Sequence, residues 1–253
     1  KKDKKNIERF FDFHNVYDFP LTFLDKNQRL RKRNDKEREE FIKKYELDKN
    51  DKLIGIFGYI SEYKGHETII KALSYLPDNY KLLIFGSQHP MAIQEFSKCD
   101  PYISQLLNMV DELKKQEELN GKEMLPKKEI SITDRILFLG NLDDDDFLDA
   151  LYCCDFAVLP YMEVNQGGSG IASLVLETKI KSLYSNNKAF AELNKYYPNT
   201  FSKFDIGNYV ELARKIKNYK EDYTEAIDKS LEKYNLENNV RLHMDIFEEA
   251  LKK

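Results

Sequence analysis

The chain has 253 residues, 42% of them hydrophobic, and a formal net charge of −4. That is enough apolar material for a core and excludes a global nucleic-acid-binding surface. No apolar run reaches the ~20 residues that span a bilayer and no signal-peptide pattern is present, so a cytoplasmic protein is expected. Three cysteines, Cys99, Cys153 and Cys154, fit no metal-ligand spacing; the adjacent two sit in an apolar helical stretch and read as core thiols. Because the sequence starts at Lys1 rather than Met, it is also read as a candidate fragment.

Residues 1–50 are polar and charged, broken by an aromatic patch from Phe10 to Phe23 that includes His14, Tyr17, Phe19 and Pro20. From Arg29 to Arg38 six bases face two acids. Such a run is either a solvated helix face or a contact for an anionic lipid surface or a polyanionic acceptor. A helix is predicted from about Asp35 to Tyr45, with Asn34 or Asp35 as its cap. This segment is expected to be a lead-in and linker.

At Lys52 the character changes. Leu53-Ile54-Gly55-Ile56-Phe57-Gly58 is a continuous apolar strand closed by glycine. A loop through Lys64-Gly65 follows, then a helix from His66 to Tyr75. Lys81 to Gly86 and Arg135 to Gly140 repeat the strand pattern. Strands without alternation, separated by helices, imply a parallel sheet covered on both faces. Ligands of such sheets bind at the carboxyl ends of strands, where Gly58, Gly86 and Gly140 lie. Tyr102 to Leu119 is helical, and Asn120 to Glu129 reads as an exposed loop. Asp143 to Asp146 open a helix through Cys153, either as caps that suit the helix dipole or as cation ligands.

Phe156 to Tyr161 is a buried strand ended by proline. Three of the ten glycines then crowd into Gly167-Gly168-Ser169-Gly170. An apolar helix carrying Ile171, Leu174 and Val175 follows. Strand, glycine turn and helix start together make either a tight turn or a cradle whose N–H groups bind a phosphate. Lys181 to Tyr184 and Phe201 to Phe204 are short strands, with a helical turn from Ala189 to Leu193 and a helix from Asn208 to Ile216. From Tyr219 to Lys253 apolar residues recur at helical intervals, among them Leu231, Val240, Met244, Phe247 and Leu251. One or two terminal helices are expected to pack back on the domain. The predicted division is a lead-in at 1–50, a Rossmann-like α/β domain at 51–218, and helices at 219–253.

The ordered series is Gly58, Lys64-Gly65, Gly86, Phe138-Leu139-Gly140, Val158 to Tyr161, the glycine turn and Leu176-Glu177. It resembles the carboxyl-terminal, donor-binding half of a family-4-type retaining glycosyltransferase with the GT-B fold. The likeness covers about Lys52 to Ile216. It implies an enzyme that transfers a sugar from a nucleotide-diphosphate donor to a glycan or lipid-linked acceptor, with no metal and no other cofactor. It implies that Lys64 contacts the diphosphate as a catalytic countercharge. Gly58, Tyr59, Gly86, Gly140, Gly167, Gly168, Ser169, Gly170 and Ile171 would line the donor site. Glu177 would accept from the donor ribose hydroxyls; read by itself, Glu177 is a surface helix residue.

Three departures from the family pattern stand out. Tyr59 replaces the usual arginine after the first glycine. Ser169 stands where many members have the first glutamate of Glu-x7-Glu, so Glu163 is the candidate to reach the sugar instead. Lys179-Ile180-Lys181-Ser182 replaces the usual Gly-x-Pro. The acceptor half is not seen, since about 50 residues precede the first strand. An amino-terminal GT-B domain is therefore expected in cis or in trans, with Arg29–Arg38 facing the inner membrane surface if the acceptor is lipid-linked. A non-catalytic nucleotide-binding or interaction module on the same scaffold is the alternative.

Overall fold

The computed structural model describes residues 2–11, 15–88, 100–120, 130–163 and 168–252. Six strands form one parallel sheet in the order β3-β2-β1-β4-β5-β6. They are β1 (Lys52–Phe57), β2 (Tyr80–Phe85), β3 (Ile136–Gly140), β4 (Phe156–Leu159), β5 (Ser182–Ser185) and β6 (Ser202–Phe204). The unalternating strands bury side chains on both faces. From β1, Leu53 and Phe57 enter one apolar layer while Ile54 and Ile56 enter the other. In β4, Ala157 and Leu159 oppose Phe156 and Val158 in the same way.

Helices α4 (His66–Leu73), α5 (Pro101–Asn120) and α9 (Tyr209–Lys217) cover one face. The other face carries α3 (Asp35–Lys44), α6 (Asp144–Cys153), α7 (Gly170–Glu177), α8 (Lys188–Leu193) and α10 (Thr224–Lys233). The architecture is Rossmann-like, as the sequence predicts. Strand order reverses between β1 and β4, and α4 and α7 leave that pair to opposite faces. A crevice therefore opens at their carboxyl ends, the place where open α/β sheets bind ligands.

At the amino ends of the same two strands Asp155 and two arginines are matched to one another. Asp155, just before β4, accepts from Leu53 N at 2.8 Å, Arg38 at 3.0 Å and Arg33 at 3.1 Å. Arg38 also donates to the carbonyls of Cys153 and Asp51. The other arginines of the basic run are paired too. Arg31 pairs with Glu37 and Asp149 at 2.7 Å each, and Arg29 with Glu237 at 2.7 Å. These arginines fasten the lead-in to the domain; they are not a free positive face. On β3's side Arg135, fully buried, donates to the carbonyls of Leu73, Leu76 and Pro77 and so closes the end of α4.

Two expected helix caps are in place. Asn34 caps α3, and Asp143 caps α6 by accepting from Asp146 N at 2.9 Å. Among the described residues no group of three or more ligands could hold a metal ion, and no helix is long and apolar enough to cross a membrane. Cys153 and Cys154 are buried free thiols, burial pushing Cys153 up to about 11. Cys99, His14 and residues 121–129 of the expected loop lie outside the described residues. Of the terminal helices, α10 packs on the domain through Ile227 and Leu231. The last helix, α11 (Leu236–Leu251), buries no residue, and Val240, Met244, Phe247 and Leu251 are exposed along it. Its other side, with Leu242 and Ile246, lines a cavity of about 860 Å³ against Tyr17, Phe19 and Pro20.

Candidate functional site at the carboxyl ends of β1 and β4

The crevice is assembled by glycines that let backbones meet. Gly58 follows β1 with φ +93°, a conformation that L side chains avoid. A Cβ there would come within 3.2 Å of Lys64 Nζ and 3.4 Å of Ile171. A Cβ on Gly86, after β2, would strike the carbonyl oxygen of Gly58, and one on Gly65 would strike that of Pro160. Gly65, at φ +66°, ends a 3₁₀ turn over Glu62–Lys64 and starts α4. The loops after β1 and β4 are thereby pressed together, and Met162 N donates to Tyr63 O across them at 2.8 Å.

Lys64 is the centre of the cluster. It is 4% exposed, and no carboxylate pairs with it among the described residues. Its ammonium donates to Tyr161 Oη at 2.6 Å and lies 4.4 Å from that ring's centroid and 5.4 Å from that of Tyr63. Burial pulls it down to about 8. Tyr161 Oη lies 3.3 Å from Ser169 Oγ, and Ser169 caps α7 by accepting from Ala172 N. Gly170 and Ile171, the first two residues of α7, have N–H groups without intrahelical partners. His66, 1% exposed, is held down at about 3 by burial and then by the charge of Lys64. It is neutral, and its Nδ1 has no hydrogen-bond partner among the described residues.

The structure thus brings together Gly58, Lys64, Gly86, Ser169, Gly170 and Ile171, with Gly168 beside them under Leu21. Gly140 closes the edge strand β3, two strands from the crevice. Tyr59 is 41% exposed, and Gly167 lies outside the described residues. Glu163 is exposed, with Lys188 3.8 Å away. It is a surface carboxylate in this structure and makes no recorded contact with Lys64 or Ser169.

Glu177 behaves differently from the expectation of an open carboxylate. It is 1% exposed, and its oxygens accept from Phe23 N at 3.1 and 3.2 Å and Leu24 N at 2.6 Å. Burial nonetheless pushes it up to about 7. The residue ties the lead-in segment to α7, about 10 Å along the helix from Gly170. Phe23, which donates to it, also lays its ring within 3.2 Å of where a Cβ on Gly170 would stand. Two residues receive no site role from the sequence: Tyr161, which reads there as the end of an apolar run within the ordered series, and His66, which reads as a helix start. Neither carries a local signal, because what distinguishes them is the buried ammonium between the loops.

Residues 37–242 match the family of group 1 glycosyl transferases. No curated protein matches the chain in sequence. Among solved structures, HepE of Anabaena in complex with UDP-glucose superposes with a TM-score of 0.67 at 15% identity, covering 91% of this chain and 56% of that one. A glycosyltransferase from Rickettsia africae gives 0.66 at 15% identity, covering 99% and 62%. The carboxyl-terminal domain of the group 1 protein LpcC from Francisella tularensis gives 0.56 at 16% identity, covering 85% of this chain and 100% of that domain. The chain thus spans 56–62% of the first two relatives and answers in extent to the third.

Proposed function

The chain belongs to the group 1 glycosyl transferases, and from that premise we propose that it is the donor-binding half of a retaining enzyme, its diphosphate site being the β1–β4 crevice. The observation that carries this is Lys64, a buried ammonium without a carboxylate, set at the switch point beside the free end of α7. An ionised group is removed from water only at a cost of several kcal/mol, which a bound anion would offset. The diphosphate of a sugar nucleotide would pair with Lys64 and the N–H groups of Gly170 and Ile171. When the glycosidic bond breaks, the same groups would hold the leaving diphosphate, so the scheme invokes no metal and no further cofactor. Glu163 is the carboxylate proposed to approach the sugar. The acceptor, a glycan or a lipid-linked glycan, would be held by an amino-terminal GT-B domain in cis or in trans, at the cytoplasmic face of the membrane.

Ser169 favours a second reading. A serine stands where the resemblance expects a carboxylate, and a module that binds the nucleotide without transfer would tolerate that exchange. Product formation from a diphosphate sugar, with an acceptor half supplied, separates the two.

The first test is thermal unfolding against UDP, GDP, ADP, TDP and CMP, alone and as their sugar conjugates. A ligand at a hundred times its dissociation constant adds about 2.7 kcal/mol, a rise of roughly 5–10 °C for a chain this size. The expected outcome is a shift with one diphosphate that Lys64→Ala abolishes. No shift and no calorimetric binding with any of them overturns the donor-site reading.

A further inference from the structure

We infer that Tyr161 is a positioning residue of this site: its buried hydroxyl holds the Lys64 ammonium at the crevice, between Gly58 and the capped start of α7. This rests on the diphosphate reading and adds a residue to it.

A core tyrosine is commonly present for its ring alone, and Tyr161 does pack edge-on to Tyr63 and against Phe190. Phenylalanine would do that equally well. The hydroxyl is what calls for explanation, because a buried O–H costs stability unless it is hydrogen-bonded. Here its oxygen accepts from Lys64 Nζ at 2.6 Å, and its other neighbour is Ser169 Oγ at 3.3 Å. Ser169 Oγ already accepts the N–H of Ala172. The phenol therefore joins the cation supplied by the β1 loop to the cap of the helix that follows β4. Neither loop alone fixes Lys64. Its aliphatic stem comes from the 3₁₀ turn, but its charged end is placed by a residue 97 positions away.

The groups that face the ammonium are few. From its own segment come the Tyr63 ring and the neutral imidazole of His66, and from the end of β4 comes Tyr161. From α7 come Ser169, through Tyr161, and Ile171 at Gly58. Tyr161 Oη is the one hydrogen-bond acceptor recorded for Lys64 among the described residues. It follows that the hydroxyl both orients the cation and helps keep it protonated while the crevice is empty.

Tyr161→Phe deletes that oxygen and leaves the ring. UDP, GDP, ADP and TDP are titrated by calorimetry between pH 6 and 10 into the wild type, Tyr161→Phe and Lys64→Ala. The expected result is binding of one of them to the wild type, loss with Lys64→Ala, and roughly tenfold weaker binding with Tyr161→Phe at neutral pH. The alkaline fall in affinity should also begin at lower pH in Tyr161→Phe, since its ammonium has lost an acceptor. NMR titration of ¹³C-labelled lysine in the ligand-free proteins follows the same proton directly and should show the same displacement. Equal affinity and superimposable titrations in wild type and Tyr161→Phe, with Lys64→Ala inactive in binding, overturn the role of Tyr161 and leave the donor site intact. Binding by Lys64→Ala as tight as the wild type, or none by the wild type, overturns the donor site and this inference together.

Discussion

The two ends of the β1–β4 pair solve the same electrostatic problem in opposite ways. At the amino ends Asp155 is shared by Arg33, Arg38 and the N–H of Leu53, and the leftover donors of Arg38 reach carbonyls. At the carboxyl ends Lys64 is more deeply buried than Arg38, yet has a phenol and two aromatic faces in place of a carboxylate. The difference teaches that density of charge in the sequence is a poor guide to a binding site. The four arginines of the conspicuous run Arg29–Arg38 are paired within the molecule, and the single lysine in an ordinary loop has no carboxylate partner among the described residues. A paired charge holds the fold, and an unpaired buried one leaves a place for a ligand.

The largest expected effect comes from breaking the paired end. Asp155→Ala leaves two guanidinium groups and an amide without their acceptor, a loss of about 3 kcal/mol. Urea unfolding should show it, while nucleotide affinity at the far end of the strands stays within about twofold. A large loss of affinity with little loss of stability would erase the distinction between the two ends. The second effect has the opposite sign. Lys64→Met should abolish nucleotide binding and make the ligand-free protein more stable at pH 7, by about 2 kcal/mol once the lost hydrogen bond is deducted. The sign follows from the folded lysine titrating near 8, below its ordinary 10.5. Protonation favours the unfolded chain, so the cost is present at neutral pH and disappears as pH rises from about 8 to 10.5. A variant no more stable than the wild type at pH 7 would mean that Tyr161 and the rings fully compensate the cation.

The sheet was legible in the sequence and the pairing was not. Leu53 to Gly58, Lys81 to Gly86 and Arg135 to Gly140 announce buried parallel strands because apolar residues continue without alternation and stop at glycine. That pattern also leads to the switch point, and hence to Gly58, Lys64 and Ser169. Partners across the fold leave no such periodic trace. Asp155 lies 117 residues from Arg38, and Glu177 lies 154 from Phe23, so a motif reading sees a basic run and a helix carboxylate without the distant partners that tie them. α11 misled for a related reason. Val240, Met244, Phe247 and Leu251 recur at helical intervals, and the interval shows that they share a face without showing that the face is covered.

Glu177 lies between the two regimes and gives the smallest and sharpest prediction. Its oxygens take three amide contacts from Phe23 and Leu24, as a paired group should, yet burial still raises it from an ordinary 4.5 to about 7. A carboxyl raised in the folded state binds its proton more tightly there, so its contribution is full below about 4.5 and is lost as pH climbs through 7. Glu177→Gln removes the titration and keeps the shape. Wild type and variant should therefore diverge with pH, the wild type losing about 1.5 kcal/mol relative to Glu177→Gln between pH 5.5 and 7. Parallel stability curves would mean that the amides hold the carboxylate ionised throughout. Glu177 would then belong with Asp155 among the fully matched charges, and Lys64 would remain the contrasting case, a buried ammonium with no carboxylate partner among the described residues.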